Sequence, residues 1–100
     1  MSDQPPQEQP PSEITFLGFV LSLASTAAVH FGDVPDPMSG EKRPADLPAA
    51  YQMIEILALV EQKTRGNLTA EERQVLEQVI YELRMRFLEA QKEPSRIIKP

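Results

Sequence analysis

The single histidine of this chain, His30, lies within eight residues of three hydroxyls, Ser22, Ser25 and Thr26. A hydroxyl beside an imidazole is the start of a nucleophile and its base. That chemistry also needs a third group to orient the base and a pocket for the reacting atoms. Roughly 60 helical residues with one imidazole do not supply them, so no catalytic residue is assigned. His30 with Asp33, Asp36 and Glu41 offers a metal-like donor set, but no i,i+4 spacing fixes the imidazole and a carboxylate on one helix face. No metal site is assigned either. The third arrangement is Lys63, Arg65, Gly66, Asn67 and Thr69, where two cations, a glycine turn and a helix start could hold an anion. Glu71 and Glu72 already put negative charge there, and a phosphate loop would need its glycines after a strand. These residues read instead as a helical hairpin, and the chain is expected to have no enzymatic activity and no cofactor.

The composition agrees with that reading. One hundred residues allow one small domain, and 41% hydrophobic against 25% charged residues suits a chain that buries a core. The absence of Cys removes disulfides, thiolate zinc sites and thiol nucleophiles. Ten Lys and Arg against fifteen Asp and Glu give a net charge of −5, the wrong sign for neutralising phosphates. Arg73, Arg84, Arg86, Lys92, Arg96 and Lys99 do gather toward the C-terminal end. Glu71, Glu72, Glu77, Glu82, Glu89 and Glu93 are interleaved with them, so no continuous basic face forms. Nucleic acid is not an expected partner.

The elements that position these residues are helices. Residues 1–11 hold four of the ten prolines and no large apolar residue after Met1, which predicts a disordered, partly polyproline-II tail. Nothing there resembles the basic start of a signal peptide. A helix is expected over about 13–31, with Ser12 placed to cap it and Gly32 to stop it. Phe16, Leu17, Val20, Leu21, Leu23, Ala24, Ala27, Ala28 and Phe31 share its broad apolar side, and that side is the expected core. Opposite them lie Thr15, Gly18, Ser22, Ser25, Thr26 and Val29, small residues where a wet helix normally carries Lys or Glu. This face is the first candidate for self-association, because small side chains let helix backbones approach closely. The run from Ile14 to Gly32 has no formal charge, and about 19 residues span roughly 28 Å, so a membrane anchor over 14–32 is the alternative reading. Its hydroxyls, acidic flanks and lack of neighbouring cations weigh against it.

Residues 32–46 contain Pro35, Pro37, Pro44 and Gly40 and read as a long solvated loop. Asp46 caps a second helix over 47–64 whose apolar positions cover more than half its circumference, so it needs two neighbours. Thr69 with Glu72 forms a capping box that starts a third helix over 70–92, with Leu68 as the staple residue. Val75, Leu76, Val79, Ile80, Leu83, Phe87 and Ala90 make its core stripe, and Glu82 with Arg86 is an i,i+4 ion pair in the favourable order. Tyr81, Met85 and Leu88 form a second stripe nearly opposite, the second candidate contact face. Pro94 closes the helix, leaving 94–100 as a flexible tail expected to fray, with docking through Arg96, Ile97, Ile98 and Lys99 as the alternative. The domain is thus expected over 12–93: an all-α chain of three helices, completed as a homodimeric bundle because so small a core lacks a disulfide or zinc to support it.

The order Phe16, Leu21-Ser22-Leu23, His30-Phe31-Gly32, Lys63-Thr64-Arg65-Gly66-Asn67-Leu68-Thr69 with Glu72, and Tyr81-Glu82-Leu83-Arg84-Met85-Arg86-Phe87 resembles the bacterial domain of unknown function 1844 family over roughly 12–90. The resemblance implies a small, mostly helical, cytoplasmic bacterial protein and transfers no catalytic residue, substrate or cofactor. The function expected from all of this is a self-associating helical interaction module with a further, unknown protein partner.

Overall fold

The computed structural model of the protein describes residues 13–93. Three helices follow in order, α1 at Phe16–Phe31, α2 at Leu47–Thr64 and α3 at Ala70–Lys92, and each packs against the other two. The fold is all-α, as expected from the periodicities. The expectations for 1–12, Ser12 among them, and for 94–100 lie outside the described residues.

Helix α1 starts later than the sequence reading put it. Thr15, in extended backbone, accepts the amide of Gly18 on its hydroxyl and is the N-cap. A Thr directly before an apolar run satisfies an orphan amide. At the other end Gly32 turns left-handed with φ at +82°, Asp33 N–H donates to Ala28 O, and Gly32 N–H donates to Val29 O. Those two bonds are a Schellman ending. The result is a helix of 16 residues, about 24 Å long, short of the roughly 30 Å of a bilayer core. Among the described residues no helix is long and apolar enough to cross a membrane, so the anchor over 14–32 is withdrawn.

The core has two layers. Near the hairpin end, Val20, Leu57 and Leu76 are wholly buried, with Phe16, Leu23, Val60, Leu68 and Val79 packed around them. Near the long loop, Ala27, Ala50 and Ala90 surround Phe31 and Ile54. One alanine from each helix in this layer removes the bulk that would hold the helices apart. Leu83 touches both layers and joins them. Of the apolar side expected for α1, Leu21 departs: it lies outside the core and is 51% exposed. Its position is 100° from Val20 around the helix, at the shoulder where three-helix packing runs out. Tyr51 and Ile56 of α2 are likewise exposed.

The turn between α2 and α3 follows its sequence signals. Gly66 has φ at +88°, Asn67 N–H donates to Thr64 O, and Leu68 packs on the core. Thr69 Oγ1 accepts from Glu72 N–H at 3.0 Å while Glu72 Oε1 accepts from Thr69 N–H at 2.9 Å, the complete capping box. Asp46 accepts from Ala49 N–H and caps α2, with Pro48 in its first turn.

Candidate functional site

The residues singled out for chemistry are placed as follows. Ser22 Oγ donates to Phe19 O at 2.8 Å and Thr26 Oγ1 donates to Ser22 O at 3.1 Å. Both hydroxyl protons therefore return to the backbone of α1 and neither goes to His30. His30 lines an open cleft of about 230 Å³ with Ser25, Thr26, Val29, Asp36, Pro37 and Arg43. Asp33 and Asp36 point away from any common centre, each toward its own arginine, Arg86 and Arg43. Among the described residues no group of three or more His, Asp or Glu is arranged to hold a metal ion. At the hairpin, Arg65 pairs with Glu61 at 2.8 Å, Gly66 makes the turn, and Thr69 and Glu72 are engaged in the cap. Each residue of the anion-like segment that the structure pairs is thus held by the hairpin itself.

The loop over 32–46 is solvated, as expected, with every residue from 33 to 46 except Asp36 exposed, and it is also folded. Asp36 is buried at its centre: its carboxylate accepts from Met38 N–H and pairs with Arg43 at 2.8 Å. Its amide donates to Glu41 O, and its carbonyl accepts from the amides of Ser39 and Gly40. Asp46 N–H closes the loop onto His30 O at 2.7 Å. Prolines and charged residues do not show this order in sequence, but a carboxylate that accepts from a backbone amide and an arginine can organise a turn from within.

Arg86 is the residue whose role the sequence reading missed. It does not pair with Glu82, whose carboxylate instead accepts from Gln78. Arg86 donates through Nε and Nη2 to both oxygens of Asp33, at 2.8 and 2.7 Å, and through Nη1 to Glu93 at 2.9 Å. Its guanidinium lies 5.4 Å from the centre of the Phe31 ring. A planar guanidinium can grip a carboxylate with two parallel bonds and lie on a ring at once. The hydrogen bond from Arg86 holds the Asp33 carboxyl below its ordinary value of 3.8, against partial burial that pushes it up. Arg86 in turn holds its proton more firmly than a free arginine, first through Asp33 and then Glu93. Its only sequence signal was an arginine on the flank of α3 next to α1, which an i,i+4 glutamate also explains.

Both candidate contact faces are at the surface. On α1, Thr15, Gly18, Ser22, Ser25 and Thr26 are exposed and Val29 half-buried, with Phe19 at 44% exposure beside them. Leu21 stands on the opposite shoulder, so a trough of small side chains runs between two large apolar ones. The Ser22 and Thr26 hydroxyl protons are turned to carbonyls of their own helix. On α3, Tyr81, Met85 and Leu88 are exposed, and the Tyr51 ring of α2 lies tilted against Phe87 nearby, with ring centres 5.3 Å apart. Glu55 accepts a hydrogen bond from the Tyr51 hydroxyl and raises its pKa above the ordinary 10.0.

The fold and these faces define a small three-helix protein whose outward apolar surfaces are its most distinctive chemistry. The chain belongs to the family described as Domain of unknown function (DUF1844), whose model matches residues 13–89. No curated protein and no solved structure matches it closely enough to add a relative.

Proposed function

We propose that this chain is a non-enzymatic helical interaction module that self-associates through the outer face of α1 and engages another protein. The observation that carries this reading is that α1 bears no Asp, Glu, Lys or Arg on any side, although its outer half faces away from the core. A helix that faces water all along one side ordinarily carries charge there. The stripe Tyr81, Met85 and Leu88 supports a second contact, to the other protein. The family resemblance supports a bacterial cytoplasmic setting, and the acidic charge argues against nucleic acid as the partner.

Light scattering after size exclusion tests it. The expected mass is that of a dimer, and Ser22→Leu, which adds bulk to a close seam, should weaken it by roughly 1 to 3 kcal/mol. A monomer at every accessible concentration would overturn self-association. A dimer indifferent to Ser22→Leu would move the contact to Tyr81, Met85 and Leu88.

A further inference from the structure

An open groove of about 730 Å³ lies where the ends of α1 and α3 meet the start of α2. Pro44, Ala45, Leu47 and Ala90 give it an apolar lining, and Glu93, the last described residue, is itself part of that lining. The direction in which the chain leaves Glu93 is set. Arg86 holds the Glu93 carboxylate at 2.9 Å, and the Glu93 backbone is extended, with φ at −72° and ψ at 116°. Pro94 follows, and a proline keeps the residue before it out of the helical region. The chain therefore passes from helix to extended backbone at the groove itself.

We infer that residues 94–100 of the same chain occupy this groove, with the Ile97–Ile98 pair against Pro44, Ala45, Leu47 and Ala90. Such a contact lies within one chain and does not depend on the self-association proposed above. Ile97 and Ile98 follow Glu93 by four and five residues, a reach of up to about 13 to 17 Å in extended chain. Neighbouring side chains of an extended segment point to opposite sides, so two adjacent isoleucines keep one on the groove in either orientation. Residues 94–96 alone separate the pair from Glu93. A link that short closes at little cost in chain entropy and holds the pair at an effective concentration of about millimolar, which favours the chain's own segment over that of a second copy.

Charge fits the same occupant. At this end of the molecule Asp36 engages Arg43, while Asp33 and Glu93 share Arg86. Glu41, Asp46 and Glu89 outnumber Lys42 and Lys92, so the described residues there carry a surplus of two negative charges. Arg96 and Lys99 of the segment are two cations. The carboxyl ends of α1 and α3, each with partial negative charge, both reach the groove, at Gly32 and Ala90, against one amino end at Leu47. An apolar pair flanked by cations thus matches both the lining and the field around it.

Methyl NMR on the full chain tests the contact, and mixing isotope-labelled with unlabelled protein separates contacts within a chain from those between chains. Expected are nuclear Overhauser effects from the Ile97 or Ile98 methyls to those of Ala45, Leu47 or Ala90, arising within one chain and unchanged on dilution. Ile97→Ser with Ile98→Ser should shift the Ala45, Leu47 and Ala90 methyls and leave those of Leu57 and Leu76, in the layer near the hairpin, where they were. Ala45→Arg, which brings bulk and like charge to an exposed position of the lining, should abolish the effects with Leu57 and Leu76 again unmoved. Ile97 and Ile98 methyls at random-coil positions with no effect to the groove would overturn the inference. So would groove methyls indifferent to the double serine variant. Effects found only between labelled and unlabelled chains would overturn it too, because the groove would then hold the segment of a second copy.

Discussion

The two connections of this protein are held in opposite ways. Between α2 and α3 the turn is self-sufficient: a left-handed glycine, an i,i+4 Glu61–Arg65 pair and a capping box all lie within about a dozen residues. Between α1 and α2 the loop folds around Asp36, but its position depends on a residue from the far end of the chain, Arg86, which grips Asp33. Local chemistry fixes the first connection and tertiary chemistry fixes the second. A turn of the first kind can be altered one residue at a time, whereas the second shares its contacts with the core.

The contrast is broken most strongly at Gly32. Its φ is +82°, and a Cβ built there would lie 2.8 Å from Arg43 O, whereas the equivalent position at Gly66 is open. Gly32→Val is expected to cost about 2 to 4 kcal/mol, left-handed strain plus a displaced loop, and thermal melts will read it. Gly66→Ala pays the strain alone, about 1 kcal/mol.

Arg86→Met comes next, at about 1 to 2 kcal/mol, discounted because the Asp33 side chain is 38% exposed. Its sharper signature is in pH. Asp33 has a lowered pKa in the folded protein, so its contribution is fully present above the ordinary value of 3.8 and is lost as pH falls through the lowered one. Urea unfolding between pH 6 and pH 3, from about two units above the ordinary value to about one below it, should show a shallower acid loss in Arg86→Met than in the parent. The smallest expected effect is Thr69→Ala, about 1 kcal/mol through the lost cap, with no change in acid dependence. An acid profile altered by Thr69→Ala instead of Arg86→Met would erase the distinction between the two connections.

Legibility in the sequence follows the same division. The capping box, Gly66, the Asp46 cap and the periodic core of α3 were readable because each is written within a turn or two of helix. The start of α1 was placed too early because Ser12 and Thr15 both precede the apolar run, and Thr15 is the one that accepts the Gly18 amide. Leu21 looked like core because apolarity alone does not say where the flank of a helix leaves its neighbours. Arg86 was misassigned because Glu82 offered a local partner that satisfied every rule of spacing. The candidate face on α1 was legible as a pattern of small, uncharged residues. The cleft at its end was not, since Pro37 and Arg43 reach it only through the fold of the loop.

The bond between Arg86 and Asp33 joins residues 53 apart in the chain, and that distance sets an order of assembly. A hairpin whose halves are joined by a short turn gains its contacts at little cost in chain entropy, whereas α1 must close a long loop before Arg86 can hold it. Helix α1 is therefore expected to dock last and detach first, with its amides exchanging with solvent ahead of those around Leu57 and Leu76. A second copy bound to its outer face would slow that release, so the protection of α1 alone should grow as the protein is concentrated.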